Sequence, residues 1–153
     1  MNKQEQILNE FLVEIFNEIL KVEENALKKG KFQNLSIREM HVIEAVVKNE
    51  KSNTNTSSNI AKSLNITPGT LTTGVNALEK KGYLKRQRDH EDKRVINIYS
   101  TNLGKEVEEN HTKFHENMVK EMLNFFPQGK RDILIEAVVE LEKFFKSKKK
   151  AGK

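Results

Sequence analysis

Residues 59–104 read NIAKSLNITPGTLTTGVNALEKKGYLKRQRDHEDKRVINIYSTNLG, and this stretch decides the predicted fold. A short helix over roughly residues 57–64 ends at the turn residues Asn65 and Ile66. Thr67 is suited to cap a second helix, with Pro68 in its first turn, where the missing N–H costs nothing. The sequence therefore predicts two short helices joined by a tight turn.

A β-hairpin is predicted immediately after these helices. Gly82 is a good residue to follow a helix C-terminus. Residues 83–88 and 95–100 then alternate with a period of two on either side of a polar turn. Two helices followed by a hairpin form the layout of a winged helix-turn-helix, in which one helix fits the major groove of DNA and the hairpin, or wing, reaches the adjacent minor groove or backbone.

Longer helices are predicted on both sides of this segment. Apolar residues recur at helical spacing over residues 3–29, and Ser36 with Glu39 forms a capping box at the start of the next helix. Thr101 is expected to cap a long helix that breaks at Pro127, and a final helix follows. The terminal helices carry more apolar surface than one small domain can cover, which favours an intertwined dimer over a self-contained bundle.

The predicted organisation is thus a single, mainly α domain over residues 1–145. Its winged helix-turn-helix core spans residues 36–102, and its dimerisation helices span residues 1–35 and 103–145. Residues 146–153, KSKKKAGK, contain five lysines and no acidic residue, and are expected to form a basic flexible tail.

Composition excludes several classes of protein. The 153 residues include no cysteine, so disulfides and thiolate metal sites are ruled out. No apolar run approaches the roughly 20 residues of a membrane span, and the N-terminus lacks the apolar core of a signal peptide, so a cytoplasmic protein is expected. The net charge of +5 reflects the tail, but residues 80–94 carry seven basic and three acidic residues. This local excess points to a polyanion partner.

Double-stranded DNA is the expected partner, and the second helix and the wing are expected to contact it. Threonine can contact phosphates and thymine methyl groups, and Asn76 can pair bidentately with adenine. In the wing, arginine can enter a narrow A·T-rich minor groove, while Asp89 and Asp92 hold the turn and orient the basic side chains. The residues expected to contact DNA are Ser57, Ser58, Thr67, Pro68, Gly69, Thr70, Thr72, Thr73, Asn76, Lys80, Arg86, Arg88, Lys93 and Arg94. The alternative to DNA contact is that the polar face of the second helix and the charged residues of the wing are simply exposed to solvent.

The quoted segment resembles the core of MarR-family transcriptional regulators. The helix that ends in LEKKGYLKR, the wing sequence of residues 88–94 and Thr101 with Gly104 carry the resemblance. Lys93 departs from the arginine that is usual in the family, so Arg94 is expected to carry more of the minor-groove contact. The resemblance implies a homodimer that binds a pseudopalindromic operator, usually as a repressor.

Three further stretches are similar to the FabT-type branch of this family, which represses fatty-acid synthesis. They are LSIREMH at residues 35–41, ITPGT at residues 66–70 and FHENMV at residues 114–119. The resemblance implies that a long-chain acyl group on acyl carrier protein acts as corepressor. The candidate residues for an acyl pocket, which could equally be plain core, are Phe11, Ile15, Met40, Phe114, Met118 and Met122.

A zinc-responsive regulator of the same family is the main alternative. His111 and His115 are spaced to lie on one helix face, which lets two imidazoles share a metal. His41 and Glu24, or its neighbour Glu23, look like the remaining ligands of such members. The competing interpretation is that these histidines bind no metal, and the expectation is that the protein has no cofactor.

An enzyme is not expected, because no phosphate loop, nucleophile motif or paired-carboxylate arrangement stands out. A winged helix can also serve as a protein-interaction module. That alternative predicts feeble DNA binding that does not depend on Arg88 or Arg94.

Overall fold

The computed structural model describes residues 1–151, which divide into two units, Met1–Asn110 and the described residues from His111 onward. The described residues form six helices and one hairpin, in the predicted order. Their bounds are α1 Lys3–Lys29, α2 Ile37–Lys51, α3 Ser57–Leu64, α4 Pro68–Lys80, β1 Leu84–Arg88, β2 Ile96–Ser100, α5 Asn102–Phe125 and α6 Gln128–Ala151. This order confirms the mainly helical winged helix-turn-helix fold.

Local capping chemistry sets the helix starts of the first unit. The Ser36 hydroxyl accepts from the Glu39 backbone N–H at 3.2 Å, and the Glu39 carboxylate accepts from the Ser36 N–H at 2.8 Å. These two hydrogen bonds form the predicted capping box and satisfy two backbone donors at the start of α2. Thr67 caps α4 with Pro68 in the first turn, also as predicted.

The tight turn between α3 and α4 depends on one left-handed residue. Asn65 has a φ of 54°, a conformation that asparagine tolerates better than most side chains. After α4, Gly82 has a φ of 82°, which favours glycine, and the chain turns into β1.

Apolar side chains from α2, α3, α4, both strands and the start of α5 form the core of this unit. The most completely buried members are Ile43, Val46, Ile60, Leu71, Val75, Leu78, Ile98 and Val107. The inner face of α4 contributes Leu71, Val75 and Leu78 at helical spacing, so its opposite face points to solvent. Burial of this face fixes the rotation of α4 about its axis.

The hairpin is antiparallel, and Arg86 pairs with Ile98. Both backbone groups of Ile98 turn outward, towards the loop that precedes α3. Its N–H donates to the Asn55 carbonyl at 2.9 Å, and its carbonyl accepts from Asn55 Nδ2 at 2.8 Å. On the other strand, the Arg86 N–H donates to the Glu79 carboxylate at 2.8 Å. Both edges of the hairpin are thus hydrogen bonded to neighbouring elements of the same unit.

The α1 helix presents a long apolar stripe to solvent. Phe16, for example, is 67% exposed. The exposed apolar residues of this helix are Ile7, Leu8, Phe11, Leu12, Val13, Phe16, Ile19 and Val22. A stripe of this size on a helix is typical of a surface that binds another chain.

The second unit contains the C-terminal part of α5 and the whole of α6. Pro127 separates the two helices, as expected from its effect on helix geometry. The side chain of Arg131 donates from Nε to the Phe126 carbonyl at 3.2 Å near this break. Exposed apolar residues of α6 are Ile133, Ile135, Val138, Val139, Phe144 and Phe145.

The C-terminal helix extends beyond its predicted end. The predicted domain ends at residue 145, whereas α6 continues through Lys146 to Ala151. Lysine is a good helix former, and Lys143 and Lys146 pair with Glu140 and Glu142 one turn earlier. The last two residues of the predicted tail, Gly152 and Lys153, lie outside the described residues. None of the helices in the described part of the chain has the length and hydropathy that a membrane span requires.

Candidate nucleic-acid interface

The outward face of α4 is the centre of the candidate interface. Its predicted contact residues are all exposed: Thr67, Pro68, Gly69, Thr70, Thr72, Thr73, Asn76 and Lys80. The face is polar but carries a single basic side chain, so nonspecific attraction to phosphate must come largely from elsewhere.

The threonine hydroxyls on this face are already hydrogen bonded within the helix. Thr72 donates to the Pro68 carbonyl at 2.9 Å, and Thr73 donates to the Gly69 carbonyl at 3.2 Å. Bonds of this kind occupy the single hydroxyl hydrogen, which a contact to phosphate would need. These two residues are therefore better placed for thymine methyl contacts than for hydroxyl contacts to phosphate.

Arg86 differs from its predicted position. The sequence predicts Arg86 as a DNA contact of the wing, but its side chain lies against α4. Its Nη2 donates to Asn76 Oδ1 at 2.6 Å and to the Thr72 carbonyl at 3.1 Å, and its Nη1 lies 3.1 Å from Glu79 Oε2. The side chain is 28% exposed. The physical reason is the carboxylate of Glu79, which the sequence analysis missed and which gives the guanidinium a charged partner.

Asp89 shapes the tip of the wing. Its Oδ2 accepts from the backbone N–H groups of Asp92, at 3.2 Å, and Glu91, at 3.0 Å, and its Oδ1 accepts from Asn97 Nδ2 at 3.3 Å. These backbone hydrogen bonds, with a smaller contribution from Asn97, hold the pKa of Asp89 below its ordinary value. The carboxylate therefore stays charged at neutral pH and closes the turn.

Asp92 orients Arg94. The guanidinium donates to both carboxylate oxygens at 3.1 Å, and the Arg94 backbone N–H also donates to Oδ1 at 3.0 Å. The hydrogen bond from the guanidinium lowers the pKa of Asp92 and raises the pKa of Arg94. The Arg94 side chain nevertheless remains 91% exposed. It is thus held in one direction while presenting most of its surface to a partner.

The remaining predicted DNA contacts lie at the periphery. Ser57 and Ser58 are in the first turn of α3, half-buried and exposed respectively, behind the Thr56 cap. Arg88 and Lys93 are exposed on the wing. The structure therefore brings basic side chains to the wing and polar ones to α4.

The residues predicted for an acyl pocket have different environments within their own units. In the first unit, Met40 is buried in the core, Ile15 is half-buried and Phe11 is 48% exposed. In the second unit, Phe114 and Met118 are half-buried and Met122 is exposed. Met40 packs with the core of its unit, so an acyl chain that contacts it must displace core packing.

The residues predicted for a metal site also occupy both units. In the first, His41 Nε2 lies 3.6 Å from Glu23 Oε2, and Glu23 is only 5% exposed. Glu24, the glutamate favoured from sequence, instead pairs with Lys28 at 3.0 Å on the surface. The phase of α1 turns Glu23 inward and Glu24 outward. In the second unit, the Nε2 atoms of His111 and His115 are 2.9 Å apart.

Comparison with known proteins places this geometry in a family. The sequence model of the MarR family matches residues 37–96. The structure of Streptococcus pneumoniae FabT in complex with DNA is 33% identical, covers 93% of this chain and 97% of that chain, and gives a TM-score of 0.82. The S. aureus MepR–DNA complex, at 18% identity, covers 90% of this chain and 97% of that chain with a TM-score of 0.71, and supports the fold.

A curated sequence relative agrees with the structural matches. The uncharacterized HTH-type transcriptional regulator YdgJ of Bacillus subtilis is 32% identical over 84 residues. The match covers 55% of this chain and spans about half of that relative, 51% of its length. These relatives are transcriptional regulators rather than enzymes, in agreement with the sequence analysis. The chain belongs to the MarR family of DNA-binding transcriptional regulators.

Proposed function

We propose that the protein is a cytoplasmic, homodimeric repressor that binds a pseudopalindromic operator. The observation that carries this proposal is its likeness to FabT bound to DNA over 93% of the chain. The exposed polar face of α4 would enter the major groove, and Arg94 would contact the minor groove beside it. Two such surfaces on a two-fold dimer would read two half-sites one helical turn apart.

The dimer is supported by the apolar stripes of the terminal helices. Apolar residues on α1 and α6 are exposed in the single chain, and a second copy is the partner that the family resemblance implies. Phe16→Glu would place a charge in the α1 stripe, and we expect it to convert the dimer to monomer in sedimentation equilibrium. Glu14→Lys changes a charge elsewhere on α1 and should leave the dimer intact. A dimer that persists in Phe16→Glu would place the interface elsewhere.

The regulated process is proposed to be fatty-acid synthesis, with long-chain acyl-acyl carrier protein as corepressor. The resemblance to FabT-type repressors in three stretches and the 33% identity to FabT support this assignment. Effector binding would change the separation of the two α4 helices and so their fit to successive major grooves. The corepressor would bind preferentially to the DNA-competent separation.

Fluorescence anisotropy on a selected operator tests the corepressor. We expect long-chain acyl-acyl carrier protein to raise operator affinity about tenfold, a typical coupling between two ligands. The matched controls are the carrier without an acyl chain and the carrier with a short one, which should have little effect. If the long-chain, short-chain and unacylated forms of the carrier protein have equal effects, the fatty-acid assignment is wrong, but the DNA-binding function still holds.

Zinc regulation is the second candidate. The 2.9 Å approach of the His111 and His115 imidazoles within the second unit favours it, because ligands of one metal must be close together. Within the first unit, His41 lies near the buried carboxylate of Glu23. Metal retention by the whole protein distinguishes this candidate from the acyl-carrier corepressor.

A further inference from the structure

The side chain of Asn76 is held by the wing. Its Oδ1 accepts a hydrogen bond from Arg86 Nη2 at 2.6 Å, and the same nitrogen donates to the Thr72 carbonyl at 3.1 Å. The other end of the guanidinium pairs with Glu79 at 3.1 Å, and Glu79 also accepts the Arg86 backbone N–H at 2.8 Å. Arg86 is thus fixed at both its backbone and its guanidinium.

This contact determines which way the Asn76 amide faces. A guanidinium has only donors, so the Asn76 atom that meets it must be the carbonyl oxygen. The Nδ2 group then faces away from Arg86, on an exposed part of α4. Among the residues that the structure describes, Nδ2 has no protein acceptor. The Nδ2 group of Asn76 therefore presents two N–H donors in a fixed direction, and a base in the major groove can accept from them.

A bidentate pair with adenine requires both ends of the amide. Oδ1 would accept from the adenine N6 amino group while Nδ2 donates to N7. Here one of the two acceptor sites of Oδ1 is already taken by a charged donor, so an adenine amino group would have to share the oxygen with a stronger hydrogen bond. Turning the amide towards N6 would weaken the bond to Arg86.

We propose that Asn76, oriented by Arg86, reads the N7 atom of a purine as a hydrogen-bond donor, instead of recognising adenine bidentately. This inference rests on the proposed DNA-binding function and specifies how one position of the operator is read. Adenine and guanine both present N7 in the major groove, whereas pyrimidines do not. The base that Asn76 contacts is accordingly selected as a purine over a pyrimidine, without the preference for adenine that a bidentate contact would give.

The test begins with selection of bound sequences from random duplex DNA by the wild-type dimer and by Asn76→Ala. The position whose preference relaxes in Asn76→Ala is the one that Asn76 reads. Affinities are then measured at that position for adenine, guanine, their 7-deaza analogues and purine lacking the N6 amino group. We expect guanine to bind at least as tightly as adenine, and each 7-deaza base to lose about fivefold, the effect of one net hydrogen bond. Removal of the N6 amino group should have no effect.

A bidentate adenine contact would give the opposite pattern. Adenine would exceed guanine by about tenfold or more, and loss of the N6 amino group would weaken binding as much as loss of N7. That result would overturn the inference. Specific binding in which Asn76→Ala relaxes no position would also overturn it, while leaving the proposed function intact. Selection of no specific sequence by the wild type would remove the proposed function itself.

Arg86→Met tests the orienting role directly. Without the guanidinium, the Asn76 amide can rotate, and we expect adenine to become preferred over guanine by about fivefold, with the N6 amino group now contributing. Lys85→Met removes the same charge from the neighbouring position of β1, whose side chain points to the other face, and should leave base preference unchanged. An unchanged preference in a folded Arg86→Met protein would overturn the orienting role. If Arg86→Met fails to fold, the wild-type base series decides.

Discussion

Lys81, which follows α4, donates hydrogen bonds to both carboxylate oxygens of Glu39, in the first turn of α2, at 2.8 and 2.9 Å. The same ammonium group donates to the Asn34 carbonyl at 2.6 Å. Glu39 also completes the capping box with Ser36. One carboxylate thus caps α2 and ties the end of α4 to it.

This ion pair predicts a pH-dependent stability. Burial opposes the charged form of Glu39, but the hydrogen bonds from Lys81 and Ser36 outweigh it and hold the pKa below its ordinary value. A lowered pKa in the folded state stabilises the protein at pH values above the unfolded pKa, and this contribution is lost as the pH falls through the folded pKa. Urea unfolding at neutral pH and near pH 4 should show the loss.

Glu39→Gln isolates the charge from the cap. Glutamine can still take part in a capping box, so we expect a loss of about 1.5–3 kcal/mol at neutral pH, the range for a hydrogen bond to a charged group, and a smaller dependence on pH. Glu39→Ala removes both roles and should cost more. Equal pH dependence in wild type and Glu39→Gln would exclude this ion pair as the source.

Arg94 is expected to contribute strongly to operator binding. The exposed guanidinium is oriented by Asp92, so its replacement removes a positioned contact and not merely a mobile charge. Arg94→Ala should weaken operator binding about tenfold, the effect of one good contact to DNA. Lys85→Ala, which removes a charge from the same wing, is the matched control and should cost less. Unchanged affinity in Arg94→Ala would show that the wing is assigned wrongly.

The C-terminal lysines are expected to act without regard to sequence. Removal of residues 146–153 eliminates five positive charges. We expect these charges to interact with DNA phosphates and not with bases. Binding to operator and to random DNA should weaken by the same factor, and the salt dependence should become shallower. Anisotropy titrations at several salt concentrations measure both effects. A loss confined to the operator would indicate that α6 takes part in recognition.

Two glycines are predicted to respond oppositely to alanine. A Cβ at Gly104 would overlap the Tyr83 carbonyl oxygen, at a distance that real Cβ atoms do not reach, so Gly104→Ala should destabilise by roughly 2 kcal/mol. A Cβ at Gly69 meets nothing within 4 Å. Gly69→Ala should stabilise the helix by up to about 1 kcal/mol and yet weaken DNA binding, if backbone and phosphate approach closely there. Thermal unfolding and anisotropy on both variants measure these effects.

Zinc retention is expected to be absent. Native mass spectrometry of the whole protein, with one equivalent of zinc per subunit, should show a metal-free dimer if the acyl-carrier corepressor is correct. A dimer that retains zinc, and loses it when His111 and His115 are replaced by alanine, would establish the metal-responsive alternative. Lys113→Ala, on the same helix between the two histidines, is the matched control.

The sequence predicted the features that local chemistry determines. The Ser36 and Glu39 capping box, the Thr67 cap with Pro68 and the turn at Gly82 each depend on residues within a few positions of one another. The contact between Arg86 and Asn76 could not be predicted in the same way. It depends on the rotation of α4 and on the path of β1, which only the packed core fixes. Glu23 and Glu24 differ for the same reason, because helix phase decides which one faces inward.

The contacts along both edges of the hairpin also matter for solubility. An open strand edge carries unpaired N–H and C=O groups that can template the addition of strands from other molecules. In this wing, Asn55 is hydrogen bonded to the outer edge of β2. The Glu79 carboxylate accepts the hydrogen bond from the backbone N–H of Arg86 on β1. The hairpin can therefore project from the protein towards DNA while offering little backbone to a second hairpin. Loss of either partner would expose an edge and favour aggregation through the wing.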